Sequence, residues 1–388
     1  MSGSADHRLR VAIATESFLP TTNGVTTSVC RVLDHLRDHG HEAIVLAPSA
    51  GAPSSYAGFP VFEVPAVPYR GFPVGLPNPQ TQRILESFSP DVLHAASPFL
   101  FGAAAMTTAG RLGIPSVAIF QTDVAGYARR NGLAAASGIA WRVVRSIHER
   151  ADLTLVPSSA SMDALERAGV RRLARWGRGV DLERYHPRLR ATPAVRALRA
   201  RLAPRGEVVV GYVGRIAPEK QVERLAALRG VRGIRLAIVG DGPSMPAVRR
   251  ALDGMPVSWL GELGGTALAE AYASLDVFVH TGSEETFGQT LQEAGATGLP
   301  VVAPRAGGPI DIVEEGITGF LVPGGANRAL RDAVSTLTDD PGLRARMGEA
   351  ARRRMLGRSW ESVGDELVEH YARTVAARSD RVLATQLS

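Results

Sequence analysis

The sequence predicts an α/β protein of two doubly wound domains with parallel sheets, and three observations predict it. Short apolar runs, such as RVAIA at 10–14 and VVVGYV at 208–213, alternate with stretches whose apolar residues recur at helical spacing. Glycine turns follow the carboxyl ends of those runs, giving the strand–loop–helix–strand rhythm of βαβ units. At 388 residues the chain suits two domains, and the rhythm restarts after a shift to Arg, Ala, Leu and Pro between Pro187 and Gly206. We place the boundary near residue 190, giving an N-terminal domain over 1–190, a C-terminal domain over 191–358, and a late helix with a tail over 359–388.

Composition narrows the function classes. The chain is 45% hydrophobic and 21% charged, enough for large cores and too apolar for global disorder. Cys30 is the single cysteine, so an internal disulfide and a multi-cysteine metal site are excluded. No charged-then-apolar leader opens the sequence and no run of about 18 apolar residues occurs, which points to a cytoplasmic protein that does not span a membrane. A net charge of +6 on scattered arginines permits contact with an anionic ligand or membrane surface and does not call for nucleic acid.

In chain order, the first strand at 10–14 leads through Asn23-Gly24 into a helix marked by Val25, Val29, Val32, Leu33 and Leu36 and ended by Gly40. EAIVLAP is the second strand. No G-x-G-x-x-G follows the first strand, so a dinucleotide fingerprint is missing. The segment 65–79 is proline-rich and reads as an irregular loop carrying Tyr69, Arg70, Phe72, Val74 and Leu76. Asp91 to Ala95 is a strand with His94 and Ser97 at its end, and His94 suits a core as well as a site. The next strand ends at Phe120, with Gln121, Thr122 and Asp123 just beyond it and Tyr127, Arg129 and Arg130 following. After a helix over 139–150, a further strand and helix lead to Arg178-Gly179-Val180-Asp181.

The second domain opens with a strand into Gly214-Arg215 and then Pro218-Glu219-Lys220 at a helix start. Arginine offers a fork that matches phosphate oxygens and lysine a mobile point charge, so the pair suits a diphosphate. Gly240-Asp241-Gly242 ends the next strand and leaves room for a flat base or a ribose. The stretch VHTGSEETFGQTLQEAG over 279–295 then places Glu285 and Glu293 eight residues apart, with Phe287 and Gly288 between them. It reads as the end of a buried strand, a loop and a helix starting near Phe287, at the strand end where open α/β sheets bind ligands. The free N–H groups of such a helix favour an anion, and eight residues rise about 12 Å. The two carboxylates thereby suit hydroxyls on either side of a diphosphate, the layout of a nucleotide sugar. Helices follow from about 326 to 377, and the tail from Arg378 is expected to be mobile.

The motif EETFGQTLQEA resembles the E-x7-E element of retaining glycosyltransferases of family 4. Within them it is similar to the actinobacterial GDP-mannose-dependent α-mannosyltransferases that act on glycolipids. The resemblance implies a GT-B fold, two facing Rossmann-like domains with a cleft between them and a late helix returning to the first. It also implies a retaining hexosyl transfer, with mannose from GDP-mannose going to a lipid or glycolipid such as a phosphatidylinositol mannoside or a glycosyl diacylglycerol. The alternative is a glucosyl or other hexosyl transfer from a UDP- or ADP-sugar to a soluble acceptor. On this resemblance Arg215, Lys220, Phe287 and Gly288 hold the diphosphate, Glu285 the sugar and Glu293 the ribose. Gly24 and Gly240 border the donor, while Gln121, Asp123 and Tyr127 lie on the acceptor side. Many relatives carry a histidine where Gln121 stands, so a histidine acid/base role is in doubt, and Asp123 is the carboxylate expected there. Fixed cations take the place of a metal, so no cofactor and no essential divalent ion are expected, and peripheral membrane contact is. A nucleotide-sugar epimerase would need a glycine fingerprint and a Tyr-x-x-x-Lys pair, both missing, and a sensing module would not need the full diphosphate set.

Overall fold

The computed structural model describes residues 8–49, 51–69, 72–96, 98–121 and 137–386. They form two compact units: 8–157, 161–177 and 360–386 make unit 1, and 158–160 with 178–359 make unit 2.

Unit 1 holds an eight-stranded sheet. Its strands are β1 (Arg10–Thr15), β2 (Glu42–Pro48), β3 (Ser55–Tyr56), β4 (Phe59–Val64), β7 (Val92–Ala96), β8 (Ser116–Ile119), β9 (Leu153–Val156) and β10 (Leu173–Arg175). The spatial order is β10-β9-β8-β7-β1-β2-β4-β3, and every pair is parallel except β3 with β4. Val11 is paired with Ala43 on one side and Val92 on the other. Strands buried on both faces read as continuous apolar runs rather than alternating ones. Val11 and Ile13 accordingly enter the core on one face, and Ala12 and Ala14 the core on the other. The helix Gly24–Asp38 is capped by Asn23, whose Oδ1 accepts from Val25 N and Thr26 N at 2.9 and 3.0 Å.

The helix Trp360–Gln386 belongs to this unit, and its Val363, Leu367 and Tyr371 share a core with Val29, Val32, Leu33 and Leu36. The Trp176 indole N–H donates to Val363 O at 2.9 Å. This helix continues past Arg378 to Gln386.

A second departure is the proline-rich segment. It forms an antiparallel hairpin, β5 (Ala66–Tyr69) and β6 (Phe72–Gly75), instead of an irregular loop. Pro68 faces Pro73, a placement open to proline where a pair exchanges no backbone hydrogen bonds.

Unit 2 holds six parallel strands, β11 (Val208–Val213), β12 (Ile234–Val239), β13 (Val257–Gly261), β14 (Val277–Val279), β15 (Val301–Pro304) and β16 (Gly319–Val322), in the order β13-β12-β11-β14-β15-β16. Val209 and Val213 point into one core, Val210 and Tyr212 into the other. The division of the chain at Gly177/Arg178 precedes the composition shift at Pro187. Physical ties explain the position: Val180 N donates to Arg358 O at 2.8 Å, Arg352 Nη1 donates to Tyr185 O at 2.9 Å, and Tyr185 is buried in the unit-2 core. The stretch after Arg215 also differs from expectation. It is two 3-10 turns, Pro218–Lys220 and Val222–Leu228, joined by Gln221 in the left-handed region, rather than an α-helix.

Candidate active site

In unit 2 the strand order reverses between β11 and β14, and ligands of open α/β sheets bind beyond the carboxyl ends of strands at such a point. β11 runs out into Gly214, Arg215 and the turn ending in Lys220; β14 runs out into His280, Thr281, Gly282 and Glu285. The two loops are fastened together. Thr281 Oγ1 donates to Lys220 O at 2.7 Å, and a Cβ on Gly282 would lie 2.7 Å from Glu219 O. On the other side, Gly308 N donates to Glu285 O at 2.7 Å, and a Cβ there would fall 1.9 Å from Phe287 O. The Glu285–Phe287 backbone is thus clamped by the glycine turn after β15.

The helix carrying Glu293 spans Gln289–Ala296, two residues later than the expected start near Phe287. Gly288 is its cap, at φ 104°, a conformation that excludes most side chains. A Cβ on it would also meet Ile312 Cδ1 at 2.9 Å.

Glu285 and Lys220 form the centre of the site. Lys220 Nζ donates to Glu285 Oε2 at 2.6 Å, with the two side chains 23% and 14% exposed. Burial pulls the Glu285 pKa up, but Lys220, His280 and the Phe287 N–H outweigh it and the net shift is down. The carboxylate is ionised at neutral pH. His280 is buried with Nε2 3.7 Å from Glu285 Oε2, and its ring nitrogens make no hydrogen bond among the described residues. Burial pushes its pKa down to about 4, so the ring is neutral at pH 7. Arg178 sets its guanidinium carbon 6.0 Å from the Phe287 ring centroid. Desolvation lowers Arg178 to about 10 against the pull of Glu285, and it stays a cation. Arg215 is 65% exposed and donates from Nη2 to Glu219 Oε1 at 2.8 Å.

Glu293 sits in different surroundings. Tyr272 Oη donates to its Oε2 at 2.9 Å, and the ring of Tyr185 packs edge-on against Tyr272 with centroids 5.5 Å apart. Burial raises the Glu293 pKa to about 7, with hydrogen bonds from Tyr272, Tyr185 and Gln289 opposing it. One motif therefore holds two carboxyls of unequal character: one ionised beside a lysine, the other near the midpoint of its titration at neutral pH.

Of the residues singled out from sequence, Arg215, Lys220, Glu285, Phe287, Gly288 and Glu293 all lie on the loops and helix at this strand end. Gly240, at φ 123°, follows β12, and a Cβ on it would lie 2.1 Å from Gly214 O; what comes close to this glycine is a neighbouring backbone. Gly24 is in unit 1, exposed, at the first position of its helix. Gln121 is half-buried just past β8, and Asp123 and Tyr127 lie outside the described residues. His94 belongs to the core: it is 1% exposed, its Nδ1 meets Tyr371 Oη, and burial lowers its pKa to about 3.

Other residues here carried no sequence signal strong enough to single them out. His280 ends an apolar run, as many core histidines do. Gln292 is buried and its Nε2 donates to Arg178 O at 2.9 Å, while Gln289 Nε2 donates to Gly179 O at 3.1 Å. In unit 1, Glu16 follows β1 at that sheet's own reversal point between β1 and β7. Its Oε1 accepts from Phe99 N and Gly102 N, both at 2.9 Å, and burial raises its pKa.

Comparison with known proteins also finds two parts in the chain, meeting between residues 184 and 196. The family model for Glycosyltransferase Family 4 matches residues 22–184, and that for Glycosyl transferases group 1 matches residues 196–354. The chain is 47% identical over 382 residues to a GDP-mannose-dependent alpha-mannosyltransferase of Mycolicibacterium smegmatis, covering 96% of this chain and 100% of that protein. The chain belongs to glycosyltransferase family 4. This glycosyltransferase is also 28% identical over 322 residues to the alpha-monoglucosyldiacylglycerol synthase of Acholeplasma laidlawii, covering 76% of this chain and 80% of that one. Its fold is GT-B. The crystal structure of Anabaena HepE in complex with UDP superimposes with a TM-score of 0.75 at 20% identity, over 94% of this chain and 100% of that one.

Proposed function

We propose that this glycosyltransferase moves mannose from GDP-mannose to a lipid or glycolipid acceptor with retention of configuration at the anomeric carbon. The site geometry that carries the chemistry is the Lys220–Glu285 pair at 2.6 Å in front of the Gly288-capped helix. When a donor arrives, Lys220 and the exposed Arg215 turn to the diphosphate, joined by the free N–H groups at the start of the helix. Negative charge grows on the diphosphate as the glycosidic bond breaks, so these donors act most strongly in the transition state. Glu285, held ionised and clamped at its backbone, accepts hydrogen bonds from the sugar hydroxyls. Glu293 accepts from the ribose hydroxyls. The diphosphate charge is met by protein cations, and the reading needs no divalent ion. Support for mannose comes from the full-length likeness to a protein named for GDP-mannose, and support for a lipid from the likeness to an alpha-monoglucosyldiacylglycerol synthase. Among the described residues no helix is long and apolar enough to cross a membrane, so a lipid acceptor would be met from the bilayer surface.

The experiment is a donor panel of GDP-mannose, UDP-glucose, UDP-N-acetylglucosamine and ADP-glucose, each with and without membrane extract. Selective use of GDP-mannose with label entering the lipid fraction is expected. Preference for a uridine or adenine donor, or label only in soluble products, overturns the donor or the acceptor. Lys220→Ala is expected to cut turnover by about 10²–10³ with the fold retained. Near-normal rates in that variant would remove Lys220 from the machinery.

A further inference from the structure

In unit 1, apart from the unit-2 site described above, two helices bring together four side chains that the transfer reaction does not employ. The helix Gly24–Asp38 and its C-cap supply His35 and His39, four residues apart and so on one face. The helix Trp360–Gln386 supplies Glu361 and Asp365, also four apart. His39 Nε2 lies 3.1 Å from Glu361 Oε1 and 4.0 Å from Asp365 Oδ1. His35 Nε2 lies 3.5 Å from Asp365 Oδ1, and its Nδ1 3.5 Å from Glu361 Oε2. One ligand atom from each of the four falls within 4.8 Å of all the others.

From these contacts we infer a binding site for one divalent transition-metal ion, zinc by preference, clasped between the two helices of unit 1. Four ligands at about 2.0–2.1 Å in a tetrahedron stand roughly 3.3 Å from one another; His39 Nε2 to Glu361 Oε1 at 3.1 Å and His35 Nε2 to Asp365 Oδ1 at 3.5 Å are close to that value, and the four must draw in from within 4.8 Å to reach it throughout. The donor set of two imidazoles and two carboxylates suits zinc and its neighbours better than magnesium or calcium, which take oxygen ligands. Two further features separate the cluster from a chance meeting of charges. His39 Nδ1 lies 2.9 Å from His35 O, a bond to a carbonyl that needs Nδ1 protonated and leaves Nε2 with its lone pair toward the carboxylates. His35 is 7% exposed, and its buried Nδ1 makes no hydrogen bond among the described residues although it faces Glu361. Space for this ring exists because residue 364 is glycine: a Cβ there would lie 2.3 Å from His35 Nδ1. The imidazole rings stack with centroids 4.1 Å apart, an arrangement that suits neutral rings better than two cations. A bound ion would fasten the late helix to the first one and stabilise unit 1.

The test uses the full chain with no affinity tag, stripped with a chelator, and zinc chloride as the probe. Calorimetry at pH 7 is expected to show one tight equivalent of zinc. In hundredfold excess over Kd, zinc is expected to raise the melting temperature of unit 1 by roughly 5 °C. Magnesium at the same concentration is expected to do nothing. His39→Ala and Asp365→Asn alter exposed side chains and keep the fold, and each is expected to weaken zinc binding at least about tenfold. Donor turnover in His39→Ala is expected to match the parent. Absence of zinc binding overturns the site, as does a zinc response equal in parent and variants. A response to pH alone, with none to zinc, would make the cluster an ion-pair network and nothing more.

Discussion

Replacing Glu293 by glutamine keeps the size of the side chain and its contact with Tyr272 but removes its titration. The carboxyl has an ordinary pKa of 4.5 and is raised by burial to about 7 in the folded protein. Each pH unit of difference is worth about 1.4 kcal/mol, so the whole step costs the folded state up to about 3 kcal/mol once the group is ionised. The folded pKa is the higher one. Its contribution to stability is therefore fully present below pH 4.5 and lost as pH rises through about 7. Between pH 5 and pH 8 the loss comes to about 2.5 kcal/mol. Urea unfolding of parent and Glu293→Gln at those two pH values reads it directly. The variant, having no charge to bury, is expected to gain about 2–3 kcal/mol on the parent between pH 5 and pH 8. Nucleotide binding supplies the functional half. If the ionised carboxylate accepts from ribose hydroxyls, GDP affinity of the parent rises across the same interval and that of the variant does not. Parallel stability curves would refute the raised pKa. A flat GDP affinity in the parent would remove Glu293 from the ribose.

Two further perturbations probe the frame around the site and the core of unit 1. Gly308→Ala places a methyl group 1.9 Å from Phe287 O, so the Glu285 loop must shift; melting is expected to report a loss of about 3 kcal/mol or more, and kcat to fall with it. Tyr371→Phe removes the hydroxyl that meets the fully buried His94 Nδ1, with an expected cost of about 1–3 kcal/mol in denaturant unfolding and no change in donor affinity.

Much of this arrangement can be read from the sequence because strands buried on both faces leave continuous apolar runs. β1, β2, β11 and β12 are visible for that reason, and the acidic motif is visible because its residues are adjacent in the chain. What escapes sequence reading depends on partners far away in the chain. Lys220 and Glu285 are separated by 65 positions, so their direct pairing is a product of the strand order. The unequal carboxyls escape for the same reason: the hydroxyls beside Glu293 come from Tyr272 and Tyr185, and nothing in the E-x7-E spacing announces them. The hairpin at 66–75 is hidden by its prolines, which argue against a strand unless their pairing partner is known. His94 shows the converse difficulty. At a strand end it suits a site, and only the return of Tyr371 from the last helix reveals it as core.

The late helix also governs the order in which the molecule can be completed during synthesis. Unit 1 begins with β1 at residue 10, yet Val363, Leu367 and Tyr371 fill its core, so the ribosome must translate all of unit 2 before the first unit can close. Until then the apolar faces of Val29, Val32, Leu33 and Leu36 have no lid, while unit 2 already has every strand it needs. Domains that fold as units during synthesis usually finish from the amino end. Here the second unit is free to finish first, and the nascent first unit is the one exposed to misassociation.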